Sequence, residues 1–409
     1  MRILILSQYF PPEPIVRLRD LTRHLVAQGH EVSVVTSFPS YPLGRVYDGY
    51  RLRLRARSEE LGATVTRVFA VPHPGRAKLK RFLSYSLFAG LALPLGLLPR
   101  QRPDVAYAYH PPLTTGLAAA LYHVVARVPF VYDVQDLWPD AFVAAGMLKR
   151  DSAAYRSLRA IENFIYCHAS RINVLSDGMK NNLLAKGVSA QKISVISNWG
   201  DPDVYRPSDS RELRLRLGWE DRFVVMVAGN MGLTHGLENV IEAAARVQDA
   251  APHLIFVFVG SGSAKPALMA ETEARRLSNV VFYDQVSQTE AAQFISAADV
   301  MLVHLKEGEF SVPHRIFSYM LCGKPIIVAA SGSTATLVQE HKCGWVCAPS
   351  DSIALSEVVK AASADAVSCQ QFGRNGLTAA HGVYSRSHLL GQIEQTIISA
   401  QNSQRGSQS

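Results

Sequence analysis

The chain is 409 residues long; 48% of its residues are hydrophobic and 19% are charged. A single hydrophobic core stops growing at roughly 250–300 residues, so a chain of this length is expected to form two domains. The five cysteines are few for this length, and Met1 leads directly into an apolar run without a signal-peptide pattern. Both observations favour a reducing cytoplasm, and the composition argues against a disordered chain.

The net charge of +8 is concentrated in one stretch of the sequence. Between Arg51 and Arg102 there are eleven lysines and arginines against two acids, whereas the rest of the chain has 31 basic and 32 acidic residues. The stretch surrounds an apolar run at 82–98, which is shorter than the ~20 residues that span a bilayer. We interpret this run either as a buried helix with a solvated basic approach or as a segment lying on an anionic membrane surface. No nucleic-acid-binding motif accompanies the charge, so nucleic acid is not an expected partner.

The first half of the chain begins with a strand, a helix and a second strand. Residues 2–7 form a continuous apolar run, which is typical of a strand buried on both faces. Leucines three and four residues apart then mark one face of a helix, which Gly29 ends. Residues 31–36 supply the next strand and complete a βαβ unit. Further strands are predicted at 65–70, 105–109 and 129–133.

A second α/β series follows the turn-rich segment 199–207, which we interpret as the connection between domains. Its strands are predicted at 223–228, 254–260, 280–283, 300–304 and 325–329. Alternating strands and helices imply parallel sheets that bind ligands outside the carboxyl ends of their strands. The predicted fold is α/β, with two Rossmann-like domains facing a central cleft. The predicted divisions are an N-terminal domain at 1–203, a C-terminal domain at 204–380, a helix at 381–400 that packs back on the N-terminal domain, and a tail at 401–409.

Two segments of the second half have the features of a phosphate site. Gly229 and Asn230 follow a predicted strand and open a helix, where backbone N–H groups and the positive helix end can meet an anion. Pro313 suits the first turn of a later helix, and Arg315 is a cation that can fork onto phosphate. Glu309 lies just before that helix, where its carboxylate can accept hydrogen bonds from sugar hydroxyls. An ordinary glycine turn and a solvated acidic loop are the structural alternatives.

Three polar side chains at strand ends in the first half are candidates for substrate contact. Asp133 and Asp136 leave the end of a predicted strand and enter a loop. His110 ends the preceding strand and is expected to face the same side, where α/β proteins place ligand contacts. A purely structural role is the alternative for all three residues.

Seven ordered segments of the chain match one known family. They are 8–13 (Gln-Tyr-Phe-Pro-Pro-Glu), 29–36, 136–139 (Asp-Leu-Trp-Pro), 175–179, 198–199, 229–230 and 313–325. Together they resemble glycosyltransferase family 4, whose two-domain fold is called GT-B. More narrowly, the chain resembles the bacterial exopolysaccharide and O-antigen branch that includes L-fucosamine transferases. The resemblance extends from Met1 to about Ala400.

The resemblance implies a division of labour and a reaction. The N-terminal domain would bind the acceptor and the C-terminal domain the nucleotide sugar, with UDP or GDP as leaving group and no metal or other cofactor. The family is retaining, so the new bond would keep the anomeric configuration of the donor. Gly229, Asn230 and Arg315 would stabilise the departing diphosphate. Either aspartate, Asp133 or Asp136, could act as a nucleophile or orient donor and acceptor; we favour orientation.

The chain departs from the family pattern at three places. The wider family has two glutamates with seven residues between them; here Phe310 occupies the first position and Ser318 the second, and Glu309 lies one residue out of register with the first. Asn230 and His235 stand where the wider family has arginine and lysine. Residues 14–17 replace a Gly-Gly loop. Glu309 and Ser318 remain candidates for donor binding.

The leading hypothesis is a glycosyltransferase that moves a sugar onto a lipid-linked oligosaccharide for bacterial O-antigen, capsule or exopolysaccharide. An N-acetylated deoxy-sugar such as N-acetyl-L-fucosamine is one candidate for the transferred group. The expected location is cytoplasmic, peripheral on the inner face of the inner membrane. A nucleotide-sugar 2-epimerase of the same fold and a non-catalytic assembly subunit are the alternatives. A nicotinamide dehydrogenase is not favoured, because neither half has Gly-x-Gly-x-x-Gly after its first strand.

Overall fold

Continuous apolar runs form the buried strands of two separate sheets. The computed structural model describes residues 1–73, 78–96, 102–144, 146–306 and 312–405. These residues divide into two compact units. The first comprises Met1–Ser197 together with the residues from Leu390 onward, and the second comprises Asn198–Leu389. The division thus falls after Ser197, six residues before the boundary expected at 203.

The first unit contains an eight-stranded sheet in the order β3-β4-β2-β1-β5-β6-β7-β8. Every neighbouring pair is parallel except β3 and β4, which form an antiparallel edge. In register, Ile3 of β1 lies beside Val32 of β2 and Val105 of β5. The strands are β1 (Arg2–Leu6), β2 (Glu31–Ser37), β3 (Arg55–Glu60), β4 (Ala63–Val68), β5 (Val105–Tyr109), β6 (Phe130–Val134), β7 (Arg171–Val174) and β8 (Ile193–Val195).

Helices cover this sheet with apolar faces. In the first helix, Leu18, Leu21 and Leu25 are fully buried, as their helical spacing predicts. Sequence analysis missed β3, because its sequence RARSEE has no apolar alternation and none of its residues is buried. The helices are α1 (Val16–Ala27), α2 (Lys78–Leu91), α3 (Leu113–Ala126), α4 (Asp140–Ala144), α5 (Ala153–His168) and α6 (Asp177–Ala185).

The apolar run at 82–98 forms most of α2 and a π-helical turn at Ala92–Gly96. The structure describes this run only as far as Gly96. Phe88 and Ala92 are fully buried, but Phe82 and Leu83 are 66% and 43% exposed. The described part of the run is therefore buried on one face and exposed at Phe82 and Leu83, which leaves both interpretations open. None of the described helices combines the length and the apolar character that crossing a membrane requires.

The second unit has a six-stranded, wholly parallel sheet in the order β11-β10-β9-β12-β13-β14. Alternate residues of its central strand enter different cores: Val224 and Met226 pack on one face, and Val225 and Val227 on the other. Helices therefore cover both faces. The strands are β9 (Phe223–Ala228), β10 (Leu254–Val259), β11 (Val280–Tyr283), β12 (Val300–His304), β13 (Ile326–Ala329) and β14 (Gly344–Cys347). The helices are α7 (Arg211–Leu217), α8 (Glu238–Val247), α9 (Lys265–Ala274), α10 (Gln288–Ala297), α11 (Arg315–Leu321), α12 (Ser333–Glu340), α13 (Ser352–Ala364) and α14 (Ala366–His381).

The last helix, α15 (Arg386–Arg405), contributes its residues from Leu390 onward to the first unit. Glu394 on this helix bridges two histidines of the first unit. Its carboxylate lies 2.8 Å from His24 Nε2 and 3.0 Å from His30 Nε2. The helix continues to Arg405 and Gln401 is buried, so the tail expected from residue 401 is helical as far as Arg405.

Candidate active site

The loop after β9 lies at the point where the strand order of the second sheet reverses. β9 neighbours β10 on one side and β12 on the other, and open α/β sheets bind ligands at such a switch point. Gly229, the first residue after β9, has φ +122°, and a Cβ there would lie 3.6 Å from Arg315 Cδ. A Cβ at Gly260, the first residue after β10, would lie 2.1 Å from Gly229 O. Glycine at both positions lets the two loops pack closely with the arginine beside them.

Arg315 has unused hydrogen-bonding capacity next to this loop. Its Nη1 donates to Asn230 O at 3.4 Å, a long contact. Its Nε and Nη2 are buried and have no hydrogen-bond partner among the described residues. Buried guanidinium groups are normally paired with an anion or a carbonyl. The arrangement of Gly229, Asn230 and Arg315 therefore suits a bound anion that accepts from the two unpaired nitrogens.

Two histidines support the loop in the neutral form. His235 Nδ1 accepts from the Gly232 N–H at 3.3 Å, and burial, helped by the charge of Arg315, lowers the His235 pKa to about 4. His304, at the end of β12, donates from Nδ1 to His235 O at 2.6 Å and accepts from the Asn239 amide at 3.0 Å. Burial also lowers the His304 pKa. Sequence analysis assigned His304 no role, since a single strand-ending histidine carries no motif.

Pro313 suggested an earlier start for the helix that carries Arg315. The helix, α11, begins two residues later, at Arg315 itself. Its predicted anchors Ile316, Phe317, Met320 and Leu321 are all buried, as expected. Tyr319, which sequence analysis missed, hydrogen-bonds with its hydroxyl to both backbone groups of Ala228. α11 is thereby fixed to the residue immediately before the Gly229 loop.

Two predicted donor contacts are not part of this arrangement as described. Ser318 is buried on α11. In this position it supports the helix rather than presenting a hydroxyl to a ligand. Glu309 lies outside the described residues, as does Glu307.

In the first unit, Asp133 is fully buried at the end of β6 and is surrounded by donors. Arg17 donates to it from Nε at 2.8 Å and from Nη2 at 3.2 Å, and Gln135 donates at 3.0 Å. The Tyr107 hydroxyl makes a further short contact. Arg17 also donates to Ser197 O at 2.9 Å. Because Asp133 is held on all sides, the geometry gives it a structural role, contrary to its assignment as a catalytic candidate.

His110 is also buried, contrary to the expectation that it faces a ligand. Its backbone N–H donates to Asp133 O at 3.0 Å, which places the ends of β5 and β6 side by side. Its ring lies edge-on to Trp138, at a centroid distance of 5.0 Å, and to Tyr132, at 6.1 Å. Neither ring nitrogen has a partner among the described residues, and burial lowers the His110 pKa to about 3. A ring with this pKa is neutral and only weakly basic at physiological pH.

Asp136 is the predicted carboxylate that remains open in the first unit. The residue as a whole is exposed, whereas desolvation of its carboxyl group by the surrounding protein raises the pKa above the usual range. It lies in the loop after β6, at the carboxyl edge of the sheet, and none of the described cationic side chains forms an ion pair with it. Of the three candidates in this unit, Asp136 is therefore the one that can contact a substrate.

Two α/β units with mainly parallel sheets, each with polar groups at its carboxyl edge, form the architecture of the GT-B fold. The chain is a glycosyltransferase with two family domains: it matches the glycosyl transferase 4-like domain at residues 14–199 and the glycosyl transferases group 1 domain at residues 209–378.

Similar proteins include transferases of bacterial surface polysaccharides. The chain is 28% identical to WcaI of Escherichia coli K12, assigned as a colanic acid biosynthesis glycosyl transferase, over 82% of this chain and 84% of that protein. It is 28% identical to WbjE of Pseudomonas aeruginosa, assigned as a glycosyltransferase, over 69% of this chain and 73% of that protein.

Solved structures share the fold at low sequence identity. HepE of Anabaena in complex with UDP has a TM-score of 0.72 and 20% identity, covering 98% of this chain and 100% of that chain. WaaG, a glycosyltransferase involved in lipopolysaccharide biosynthesis, has a TM-score of 0.67 and 18% identity, covering 97% of this chain and 99% of that chain.

Proposed function

We propose that this glycosyltransferase transfers a sugar from a UDP-sugar, or from a GDP-sugar, to a lipid-linked saccharide in the synthesis of a bacterial surface polysaccharide. The observation that carries the donor assignment is the pair of buried Arg315 nitrogens beside Gly229 and Asn230 that have no hydrogen-bond partner within the described part of the chain. HepE, which has the same fold, binds UDP. WcaI, a relative over most of its length, is assigned to colanic acid.

The donor diphosphate would accept from Arg315 Nε and Nη2 and would lie against the loop that begins at Gly229. As the bond between the anomeric carbon and the diphosphate oxygen breaks, negative charge grows on that oxygen. Fixed donors stabilise such charge without reorganising during the reaction. A single arginine and backbone groups fill this role in the proposal, so we propose that transfer requires no metal ion or other cofactor.

Retention is proposed from the family resemblance. In a front-face reaction, the acceptor hydroxyl oxygen forms the new bond to the anomeric carbon on the face that the diphosphate leaves. The hydroxyl proton passes to the departing phosphate oxygen, so no protein nucleophile is needed. We assign Asp136 to orienting the acceptor, because it is an exposed residue in the loop after β6. Asp133, by contrast, is fully enclosed.

The acceptor is proposed to be presented at the cytoplasmic face of the inner membrane, with the protein bound peripherally. The basic stretch between Arg51 and Arg102 carries eleven cationic residues against two acids. Phe82 and Leu83 on α2 within this stretch are exposed. Apolar side chains among cations are typical of surfaces that contact anionic lipid. N-acetyl-L-fucosamine is a candidate for the transferred sugar, from the resemblance alone.

The test is incubation of the purified protein with native lipid-linked acceptors and a panel of UDP- and GDP-sugars. We expect release of the nucleoside diphosphate that depends on the acceptor, a product with the donor's anomeric configuration by NMR, and an unchanged rate after addition of EDTA. No release from any donor would contradict the function. Conversion of the donor without an acceptor would identify an epimerase instead. Normal polysaccharide in cells with the combined changes Asn230→Ala, Glu309→Ala and Arg315→Ala would identify an assembly subunit.

A further inference from the structure

An apolar cavity of about 590 Å³ lies in the first unit between α2, α3 and α5. Its volume falls within the roughly 300–1,000 Å³ typical of ligand pockets. The side chains that form its walls are large and apolar. They include Leu93, Leu117, Leu121, Phe142 and Ile161. A cavity with such walls favours a hydrocarbon ligand, because each methylene removed from water strengthens binding by about fourfold.

The cavity is bordered by one cation and by exposed apolar side chains. Of the described residues that line it, Arg81 alone carries a charge. Phe82 follows Arg81 on α2 and also lines the cavity, and Leu83 continues the exposed apolar surface. An apolar recess with a cation at its wall and no acid matches the charge pattern of a lipid that carries a phosphate.

The cavity extends to the carboxyl edge of the first unit's sheet, where the acceptor is expected to bind. Pro112 and Leu113, which line it, lie three and four residues after the end of β5, and Trp138, which also lines it, lies four residues after the end of β6. The Trp138 ring lies 5.0 Å from the His110 ring and 6.2 Å from the Tyr85 ring. A chain held in the cavity would therefore place its attached polar group close to the loop of Asp136.

We propose that this cavity binds the hydrocarbon chain of the lipid-linked acceptor, with Arg81 placed beside the phosphate that joins the chain to the saccharide. The inference rests on the proposed function and names the lipid subsite of the acceptor. A recess between three helices encloses a single chain, whereas contact with a bilayer surface requires only protruding groups such as Phe82. We therefore assign the cavity to the acceptor chain rather than to bilayer lipids.

The chain-length dependence of binding tests the occupant directly. The probes are isopentenyl, geranyl, farnesyl and geranylgeranyl phosphates, and the signal is the fluorescence of Trp138, with Trp138→Phe identifying its contribution. We expect each longer phosphate to bind at least tenfold more tightly than the one before until the cavity is filled. Equal affinity across the series would overturn the proposal.

Two glycines provide a matched pair of variants. Gly90 lines the cavity on α2, and a Cβ there meets nothing within 4 Å, so Gly90→Trp places a ring in the open volume. Gly391 on α15 also has open space at its Cβ and belongs to the same unit but not to the cavity. Both are helical glycines whose replacement does not weaken the helix. Because each variant adds a tryptophan, its binding is measured by calorimetric titration; we expect Gly90→Trp to weaken farnesyl phosphate binding at least tenfold and Gly391→Trp to bind as the wild type does.

Undiminished farnesyl phosphate binding by Gly90→Trp would overturn the assignment. The assignment would also be overturned if Gly90→Trp lost binding to vesicles of anionic phospholipid but still bound farnesyl phosphate. That result would show that this surface contacts bilayer lipids. Failure of the cavity assignment can be distinguished from failure of the proposed function. Absence of transfer by the wild type contradicts the function, whereas transfer by Gly90→Trp with an unchanged KM for the long-chain acceptor contradicts only the cavity.

Discussion

The Tyr319 hydroxyl donates to Ala228 O at 2.6 Å and accepts from the Ala228 N–H at 3.2 Å. This double contact fixes α11, which carries Arg315, to the end of β9, which leads into Gly229. The two parts of the proposed phosphate site come from segments about 90 residues apart in sequence. The position of Arg315 relative to the Gly229 loop depends on this buried hydroxyl, since Tyr319 and Ala228 both lie inside the second unit.

Tyr319→Phe is expected to loosen the phosphate site. Loss of the hydroxyl removes two buried hydrogen bonds, each contributing about 1 kcal/mol, so the second unit should be destabilised by about 1–3 kcal/mol. UDP binding should weaken several-fold, because Arg315 would no longer be held at one distance from the Gly229 loop. Urea unfolding and calorimetric titration with UDP measure the two effects. Tyr384→Phe, which removes a hydroxyl bonded to His341 in the same unit, should leave UDP binding unchanged.

Arg315→Ala is expected to weaken UDP binding by about 10–100-fold. Hydrogen bonds to charged groups contribute about 1.5–3 kcal/mol, and the unpaired Nε and Nη2 are the donors that the diphosphate would use. Arg315→Lys should recover only part of the affinity, because an ammonium cannot make the forked contact. Arg211→Ala, which removes an exposed cation paired with Asp209, serves as the control. Calorimetry showing wild-type affinity in Arg315→Ala would remove the basis of the donor assignment.

Asp133→Asn and Asp136→Asn should separate stability from catalysis. Asp133→Asn breaks the buried ion pair with Arg17 and leaves that cation uncompensated. It should therefore lower the free energy of unfolding by about 3–5 kcal/mol. Asp136→Asn should reduce the transfer rate with little change in stability, because Asp136 is an exposed residue. Urea unfolding and initial rates at a temperature where both variants are folded give the comparison. A stable Asp133→Asn protein without activity would restore the catalytic assignment of Asp133.

His110 is expected to make the protein sensitive to acid. Its folded-state pKa of about 3 is below that of an unfolded histidine, about 6.5, so the unfolded state binds the extra proton between these values. The stabilisation is therefore complete above pH ~6.5 and is lost as the pH falls towards 3, at about 1.4 kcal/mol per pH unit. His110→Phe should reduce the slope of unfolding free energy against pH by this amount. NMR signals of the His110 ring that titrate near neutral pH in the folded protein would contradict the expectation.

The parallel sheets were predictable because buried strands are written as continuous apolar runs. Residues 2–7 and 223–228 have no other plausible structure than a buried strand, and both appear within one residue of the predicted limits. β3 could not be found, since the antiparallel edge strand buries no face and its charges match a loop equally well. β7, β8 and β14 were not predicted either, because their three or four residues include arginine and asparagine, serine, or glycine, whereas β11 and β13, also four residues long, are wholly apolar.

The candidate site was only partly predictable for a related reason. Gly229, Asn230 and Arg315 were placed in one site from the strand-end rule, and the structure brings them together. The burial of Asp133 could not be foreseen, because its partner Arg17 lies 116 residues away and looked like a departure from a glycine loop. Local sequence shows where a side chain leaves a strand, but not which distant side chain covers it.

The helix that carries Glu394 makes the first unit discontinuous in sequence. Residues 1–197 are synthesised first, but Glu394, which holds both His24 and His30, follows the whole of the second unit. At roughly 5–20 residues per second, the interval of nearly 200 residues takes about 10–40 s of translation. During that time the two histidines have no carboxylate from α15 and the surface under the helix is uncovered. The first unit, although begun first, can therefore be completed only after the whole of the second unit has been synthesised.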